Sequence, residues 1–303
     1  MSWGQFQTDI WQVGIVHAPI AQFLEPSPRP VTWLPTQRDF CFLADPFGVW
    51  RDDHLHVFAE FYDYRDKHGV IRHYTYDRNF TLRAEGLALS APHHLSYPYL
   101  IEDGGEVFML PEAFRSGKLT LYRARDFPRG WEKVCDLLDV PAIDASVVKS
   151  GDNWWMFYAL PGPDQRDCRQ LHAAWAPKLT GPWTPHPMNP LRELRESSRP
   201  GGTPFAVGQH LYLPAQDCSH TYGGAVRMLR VDALTPTTWA CTPQNLIEAK
   251  SFSETHMDGL HTVAACGNVT LIDVKRFDRS SQRRLIDWQR RWRRMTGQAR
   301  APR

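Results

Sequence analysis

Ala44-Asp45-Pro46-Phe47-Gly48-Val49-Trp50-Arg51-Asp52-Asp53-His54-Leu55-His56-Val57-Phe58-Ala59-Glu60 reads as a strand, a tight polar turn at Arg51-Asp52-Asp53 and a return strand. Apolar and polar residues alternate on the return, the pattern of a half-buried strand. The unit recurs. Residues 96–112 match it nearly position for position, and so do residues 144–159. Residues 199–216 form a fourth copy and residues 258–273 a weaker fifth. Successive turns fall roughly 50 residues apart, a propeller-blade period. The expected fold is all-β, a five-bladed β-propeller with a basic helix at its C-terminal end.

The rest of the chain agrees with many short strands. It has 303 residues, 42% apolar, 22% charged and 12% aromatic, a balance that suits a folded globular chain. Its 24 prolines and 20 glycines are scattered rather than clustered, as turns between short strands require. Residues 1–5 lack a basic region followed by an apolar run, so no secretory signal is expected. No run of 18 apolar residues exists to span a membrane. The six cysteines show no CxxC spacing, which points to reduced thiols in a cytoplasmic protein. HExxH, GxGxxG and GxxxxGK[ST] are absent too, which argues against a zinc, Rossmann or P-loop site.

The blades are expected over residues 40–89, 94–138, 143–186, 198–242 and 256–275, with the third strand of the first over 70–76. A strand within residues 10–17 should close the last blade, because joining both termini in one blade protects sheet edges. A proline-rich connection over residues 26–35 follows that strand. Trp131, Trp183 and Trp239 occupy one position of the repeat and should pack between blades. Residues 1–276 would form the propeller and residues 277–303 a basic amphipathic tail.

The first strand of each blade lies beside the central channel. Asp45, Tyr97, Asp144, Arg199 and His261 open or nearly open those strands, so they should meet around one mouth. The second strand runs back antiparallel, which returns Glu60, Glu112 and Gln216 to the same end. Converging carboxylates have a chemical use. Cleaving or forming a glycosidic bond needs one carboxylate to activate the nucleophile and a protonated acid to assist the leaving oxygen. A third can raise the acid's pKa by like-charge repulsion. Asp45, Asp144, Glu112 and Glu60 are the candidate catalytic groups. His54, His56, His93 and His94 read as turn and surface histidines.

These residues carry a resemblance. Ala44-Asp45-Pro46-Phe47, Ile143-Asp144-Ala145-Ser146 and Leu179-Thr180-Gly181-Pro182-Trp183 resemble the blade motifs of the five-bladed glycoside hydrolases of families 43, 32 and 68. Over residues 10–276 the chain is more closely similar to the glucosamine inositolphosphorylceramide transferase N-terminal-domain family. Ser96-Tyr97-Pro98, Leu110-Pro111-Glu112, Arg199-Pro200-Gly201-Gly202, Leu213-Pro214-Ala215-Gln216-Asp217 and Tyr222-Gly223-Gly224 carry that likeness.

The resemblance implies a carbohydrate-active enzyme working on a glycosidic or glycosyl-phosphate bond, hydrolase-like or a sugar transferase. The alternative is a non-catalytic sugar-binding propeller. It also implies Asp45 as base, Asp144 as the orienting acid, and His261 at the channel beside a calcium ion. Tyr97, Gln216, Tyr222, His261 and Arg199 would bind substrate. One departure matters. The hydrolases carry their general-acid Glu in blade four, where this chain has Arg199, with Glu196 just outside. Guanidinium binds phosphate or carboxylate bidentately, so a sugar phosphate or another anionic sugar is the expected ligand.

Residues 276–303 hold ten arginines against Asp278 and Asp287, a net of +8, which leaves the remainder near −6 in a chain of +2. Leu285, Trp288, Trp292 and Met295 fall on one stripe of a helix, with arginines 283, 284, 290, 291, 293 and 294 around it. Such a helix either lies on an anionic membrane or docks on the propeller with its tryptophans buried between blades. Charge alone is the only sign of nucleic-acid binding, and none is expected.

Overall fold

The computed structural model describes residues 7–25 and 27–296. Five antiparallel sheets form the blades of a propeller. Blade one consists of Cys41–Arg51, His54–Asp63, His68–Tyr76 and Leu82–Leu89, and blade two of Ser96–Asp103, Glu106–Glu112, Leu119–Asp126 and Gly130–Leu138. In blade three, Ile143–Ser150, Asn153–Ala159 and Gln170–Ala176 are followed by an outer strand in two pieces, Thr184–Pro185 and Arg192–Glu193. In blade four the inner strand is the broken one, Arg199–Pro200 and Phe205–Val207, ahead of His210–Asp217, Ala225–Thr235 and Thr238–Ile247. The first hairpin of every blade turns through two residues. The leading one has positive φ each time: Asp52 at 49°, and Gly104, Gly151, Gly208 and Gly267 at 59°. Those φ values match the right-handed twist of the flanking strands, which is why glycine and aspartate recur there.

Blade five joins the two ends of the chain. Val263–Cys266 and Val269–Asp278 pair onward to Thr8–Val16, which pairs with Val31–Trp33. The amino-terminal segment therefore supplies two strands rather than the single closing strand expected. The second lies between Pro30 and Pro35, and prolines that cannot donate to a ladder suit an outermost strand. The third strand of blade one also begins at His68, two residues before the expected start.

Aromatic side chains fill the gaps between blades. Trp131 of blade two meets Phe58 of blade one edge-on at 5.6 Å, and Trp239 of blade four lies 5.5 Å from Phe157 of blade three. Trp183 packs against the main core.

The tail forms a helix, Gln282–Met295. Ile286 is buried, Arg283 stacks over Tyr64 at 4.0 Å, and Asp287 pairs with Lys67 at 3.3 Å, so the helix docks on blade one. Its tryptophans are not buried between blades, because Trp288 and Trp292 point outward. Residues 297–303 lie outside the described part. No helix among the described residues is long and apolar enough to cross a membrane.

Candidate functional site

The pairing of first and second strands slips at the same place in three blades. Ala44 pairs with Glu60 but Phe47 with Phe58; Ser96 pairs with Glu112 but Tyr99 with Leu110; Ile143 pairs with Ala159 but Ser146 with Phe157. Each slip is a bulge of one extra residue, a device that re-aims a side chain. The residue at its start has positive φ: Asp45 at 52°, Tyr97 at 44° and Asp144 at 49°. Side chains other than glycine rarely adopt that conformation, and a bulky ring such as Tyr97 is a true outlier. Strain repeated at equivalent positions of three blades points to a functional site.

In blade four the pairing breaks one residue later, after Pro200, and Gly201 and Gly202 follow there. Gly202 has φ 139°, and a Cβ on it would stand 1.9 Å from the carbonyl oxygen of Val263 in blade five. Its N–H donates to the Tyr97 hydroxyl at 2.7 Å, and its carbonyl accepts from Ser146 Oγ at 2.9 Å.

Asp45, Glu60, Glu112, Asp144, Arg199, Gln216 and His261 are all buried near one another. Asp144 accepts from Arg199 Nε at 2.7 Å and from Gln216 Nε2 at 2.8 Å, and it is hydrogen-bonded to Glu112 as well. Arg199 Nη1 donates to Asp167, Nη2 stands 4.0 Å from Glu112, and the guanidinium lies 5.1 Å from the Tyr222 ring. Asp45 accepts from Thr262 Oγ1 at 3.1 Å and from the Tyr97 N–H at 3.3 Å, with His261 Nε2 at 3.5 Å. Glu60 faces His94 Nε2 at 3.4 Å. Because the Gly69 N–H donates to His94 Nδ1 at 2.9 Å, the neutral ring carries its proton on Nε2, toward Glu60.

Asp45, His261 and Asp273 offer atoms within 4.8 Å of one another, the geometry a metal would need. They do not fit calcium. Asp273 Oδ1 accepts the N–H groups of His261 and Thr262, and Oδ2 accepts the Asp45 N–H at 2.8 Å and lies 2.7 Å from His261 Nδ1. A carboxylate so fully engaged has no lone pair left over, and calcium takes six to eight oxygen ligands. His261 is instead an imidazole held between two carboxylates and stacked on Trp11 at 3.8 Å.

Five buried carboxyls thus share one guanidinium and two imidazoles, His261 and His94. Such an excess of negative charge cannot be sustained away from water, so protons are taken up. Burial raises Asp45 to about 7, with His261 pulling it back and Asp144 pushing it further up. Burial and then repulsion from Asp45 and Glu112 hold Glu60 well above the usual carboxylate range. Burial and Asp144 do the same to Glu112, against the pull of Arg199. Burial opposes charge on His261, but Asp273 and Asp45 outweigh it and raise its pKa. Burial lowers His94 to about 4, with Arg115 adding to it, so that ring is neutral. The result is a carboxyl raised to about 7 beside two held well above the usual carboxylate range, an arrangement suited to acid–base chemistry.

Not every residue expected at the mouth faces a ligand. Tyr97 is wholly buried beneath the cluster, its hydroxyl shared between Ser146 and Gly202. Gln216 is buried and spends its amide N–H groups on Asp144 and the Pro200 carbonyl. Tyr222 is the exposed member, at 39%. The buried Lys275 holds its loop, donating to the Tyr222 carbonyl, with Thr221 Oγ1 and Asp9 at 3.3 Å. Among the described residues no contact joins Glu196 to the cluster, whereas Glu112 lies inside it. Asp273, Asp167, Thr262, His94 and Trp11 belong to the site although the sequence singled out none of them for it.

A family described as glucosamine inositolphosphorylceramide transferase 1, N-terminal, matches residues 33–260. A rice protein (Oryza sativa subsp. indica) named glucosamine inositolphosphorylceramide transferase 1 is 34% identical over 213 residues, 68% of this chain and 28% of that one. Its Arabidopsis thaliana namesake is 32% identical over 197 residues, 64% of this chain and 26% of that one. The chain thus spans little more than a quarter of the length of these curated relatives. Among solved structures, an α-L-arabinofuranosidase from Podospora anserina superposes with TM-score 0.57 at 10% identity, over 80% of this chain and 93% of that one. A family 117 glycoside hydrolase from Zobellia galactanivorans gives 0.53 at 13% identity, over 79% and 84%. At those identities the likeness is one of fold.

Proposed function

Because this chain belongs to the glucosamine inositolphosphorylceramide transferase N-terminal family, we propose that it is a carbohydrate-active propeller that breaks or forms a glycosidic or glycosyl-phosphate bond over Asp45 and Glu112. One observation carries this reading: two carboxyls from different blades are buried in one cluster with Asp144, Arg199 and His261, and burial there raises Asp45 to about 7 and holds Glu112 well above the usual carboxylate range. Glu112 gives its proton to the leaving oxygen. Asp45 takes a proton from the incoming hydroxyl, of water or of an acceptor sugar. Asp144, fixed by Arg199 and Gln216, receives the Glu112 hydrogen bond in the resting state and so aims that acid. Tyr222 at the rim offers a ring face for a sugar to lie on.

The test is turnover of 4-nitrophenyl glycosides, alkyl glycosides and nucleotide-sugar donors, read as release of nitrophenol, alcohol or nucleotide. Glu112→Gln should cost roughly 10²–10³-fold with alkyl leaving groups. The loss should be much smaller with nitrophenol, which departs without a proton. Equal losses on both would remove Glu112 from the acid's role. A second reading, a sugar-binding module without turnover, is favoured by Arg199 standing where the related hydrolases hold an acid. Sugar binding by the wild type with no release from any donor would establish it.

The relatives' name joins a glucosamine to an inositolphosphorylceramide, an acceptor that carries a phosphate. Arg199 is the cation suited to such a group. Its Nε and Nη1 are spent on Asp144 and Asp167, which leaves Nη2. Lysine keeps the charge but is a compact point donor without the planar fork that spans Asp144 and Asp167 and still presents Nη2. Arg199→Lys should therefore weaken binding of N-acetylglucosamine 1-phosphate about ten-fold more than binding of N-acetylglucosamine. Calorimetry with both sugars checks this, and equal changes would exclude a phosphate contact.

A further inference from the structure

The helix Gln282–Met295 has two unlike sides. Ile286, Arg283, Asp287 and Arg290 face the propeller: Ile286 is buried, Arg283 covers Tyr64, and Asp287 holds Lys67 and lies 3.6 Å from Arg290. At 100° per residue the stripe of Leu285, Trp288, Trp292 and Met295 falls almost diametrically opposite. It is exposed to 61%, 64%, 47% and 79% respectively, the most open set of large apolar side chains described on the molecule. Exposed Arg284 and Arg291 border it on one side and the half-buried Arg293 on the other.

We infer that this outward face is a peripheral membrane anchor that seats the propeller on an anionic lipid surface. Three features favour a bilayer. The helix has 14 residues, about 21 Å, and is too short and too charged to span one, so it can only lie in the interface plane. Tryptophan is the side chain that settles at the headgroup level, and arginine beside it gains from anionic lipid. The chain outside the tail carries a net charge near −6 and is repelled by the same surface, so contact is confined to the helix. A second copy of the chain fits less well, since two such helices would bring like charges together. Docking through Ile286 and Asp287 fixes the helix to blade one, so the bilayer would set the orientation of the whole propeller. The inference does not depend on the proposed reaction.

The test is sedimentation of the full chain with phosphatidylcholine vesicles made with and without phosphatidylglycerol. Binding should require phosphatidylglycerol and weaken as salt is raised, because exposed charges are screened. Trp288→Ser with Trp292→Ser should reduce it at least ten-fold with the melting temperature unchanged, since both rings lie outside the core. Arg291→Gln, which removes one charge, should reduce it about five-fold. No binding by the wild type, or equal binding by the doubly substituted protein, would overturn the inference. So would a concentration-dependent dimer that the same double substitution disperses.

Discussion

Asp45→Asn should abolish turnover and stabilise the protein in one stroke. The substitution keeps the shape of the side chain and removes the base, so activity on whichever donor is turned over should fall roughly 10²–10⁴-fold. The stability effect has the opposite sign. A carboxyl whose pKa rises from 3.8 to about 7 on folding binds a proton that the unfolded chain does not hold, so stability falls as pH rises across that window. Above it the charge is buried at a cost of up to about 4 kcal/mol. Asparagine carries no charge, and the Thr262 hydroxyl, now a donor to Asp45, can turn to accept from the new amide. Glu60 and Glu112 slope the same way. So does His261, whose raised pKa gives stability that is present in acid and lost as pH rises through it. Wild-type melting temperature should therefore drop between about pH 5 and pH 8, and the asparagine protein should drop less. Thermal scans across that range decide it. A lower melting temperature for Asp45→Asn at pH 8 would mean that His261 and Thr262 hold a stable carboxylate, and the base would lose its poise.

Gly202→Ala is expected to be the most damaging single methyl group in the chain. Gly202 belongs to blade four, yet it bonds Tyr97 of blade two and Ser146 of blade three, and it lies against Val263 of blade five. The added Cβ would fall 1.9 Å from one backbone atom of Val263 and 2.6 Å from another, and backbone cannot step aside as a flexible side chain can. Relief requires moving blade four away from blade five, which breaks the bonds from Thr203 N–H to the Val263 carbonyl and from Val263 N–H to the Gly201 carbonyl. A loss above about 4 kcal/mol is expected, or failure to fold. Gly105→Ala is the control: it shares a positive φ, 81°, but meets nothing within 4 Å, so it should cost about 1 kcal/mol. Urea midpoints of the two proteins separate clash from conformational strain. Equal midpoints would show that the blade contact yields.

The repeat was legible because every blade reuses one hairpin, and hairpin turns advertise themselves through Asp and Gly. The same logic brought Glu60 and Glu112 to the mouth, since each sits where a second strand returns. It overlooked Asp273 for a physical reason. In blade five the position equivalent to Glu60 and Glu112 is Lys275, and Asp273 lies two residues before it, inside a strand that runs on to Asp278 along Thr8–Val16, so neither the repeat nor a strand end marks it. Asp167 comes from the short helical loop Pro163–Cys168 between the second and third strands, a connection that blade two makes with a shorter turn at Phe114–Ser116, so the strand repeat could not have found it. His94 looked like a turn residue, and only the Gly69 N–H on its ring shows which nitrogen faces Glu60. Tyr97 was aligned correctly with Asp45 and Asp144. Strand alternation does not reveal that its longer side chain passes beneath the cluster to reach Gly202.

Blade five also sets a timetable. Thr8 pairs with Asp278 and Val16 with Thr270, so the first strand made must wait for nearly the last. At roughly 5–20 residues per second on the ribosome, that wait is roughly ten seconds to a minute. Throughout it Thr8–Val16 can pair with Val31–Trp33 on one side only, and its other edge, kept for Val269–Asp278, stays open and can recruit a neighbouring nascent chain. Blades one to four, each a run of local hairpins, can form as they emerge. Ring closure is then a late step of high sequence separation. Yield on expression should respond to the speed of synthesis and to chaperones more than to the stability of any one blade.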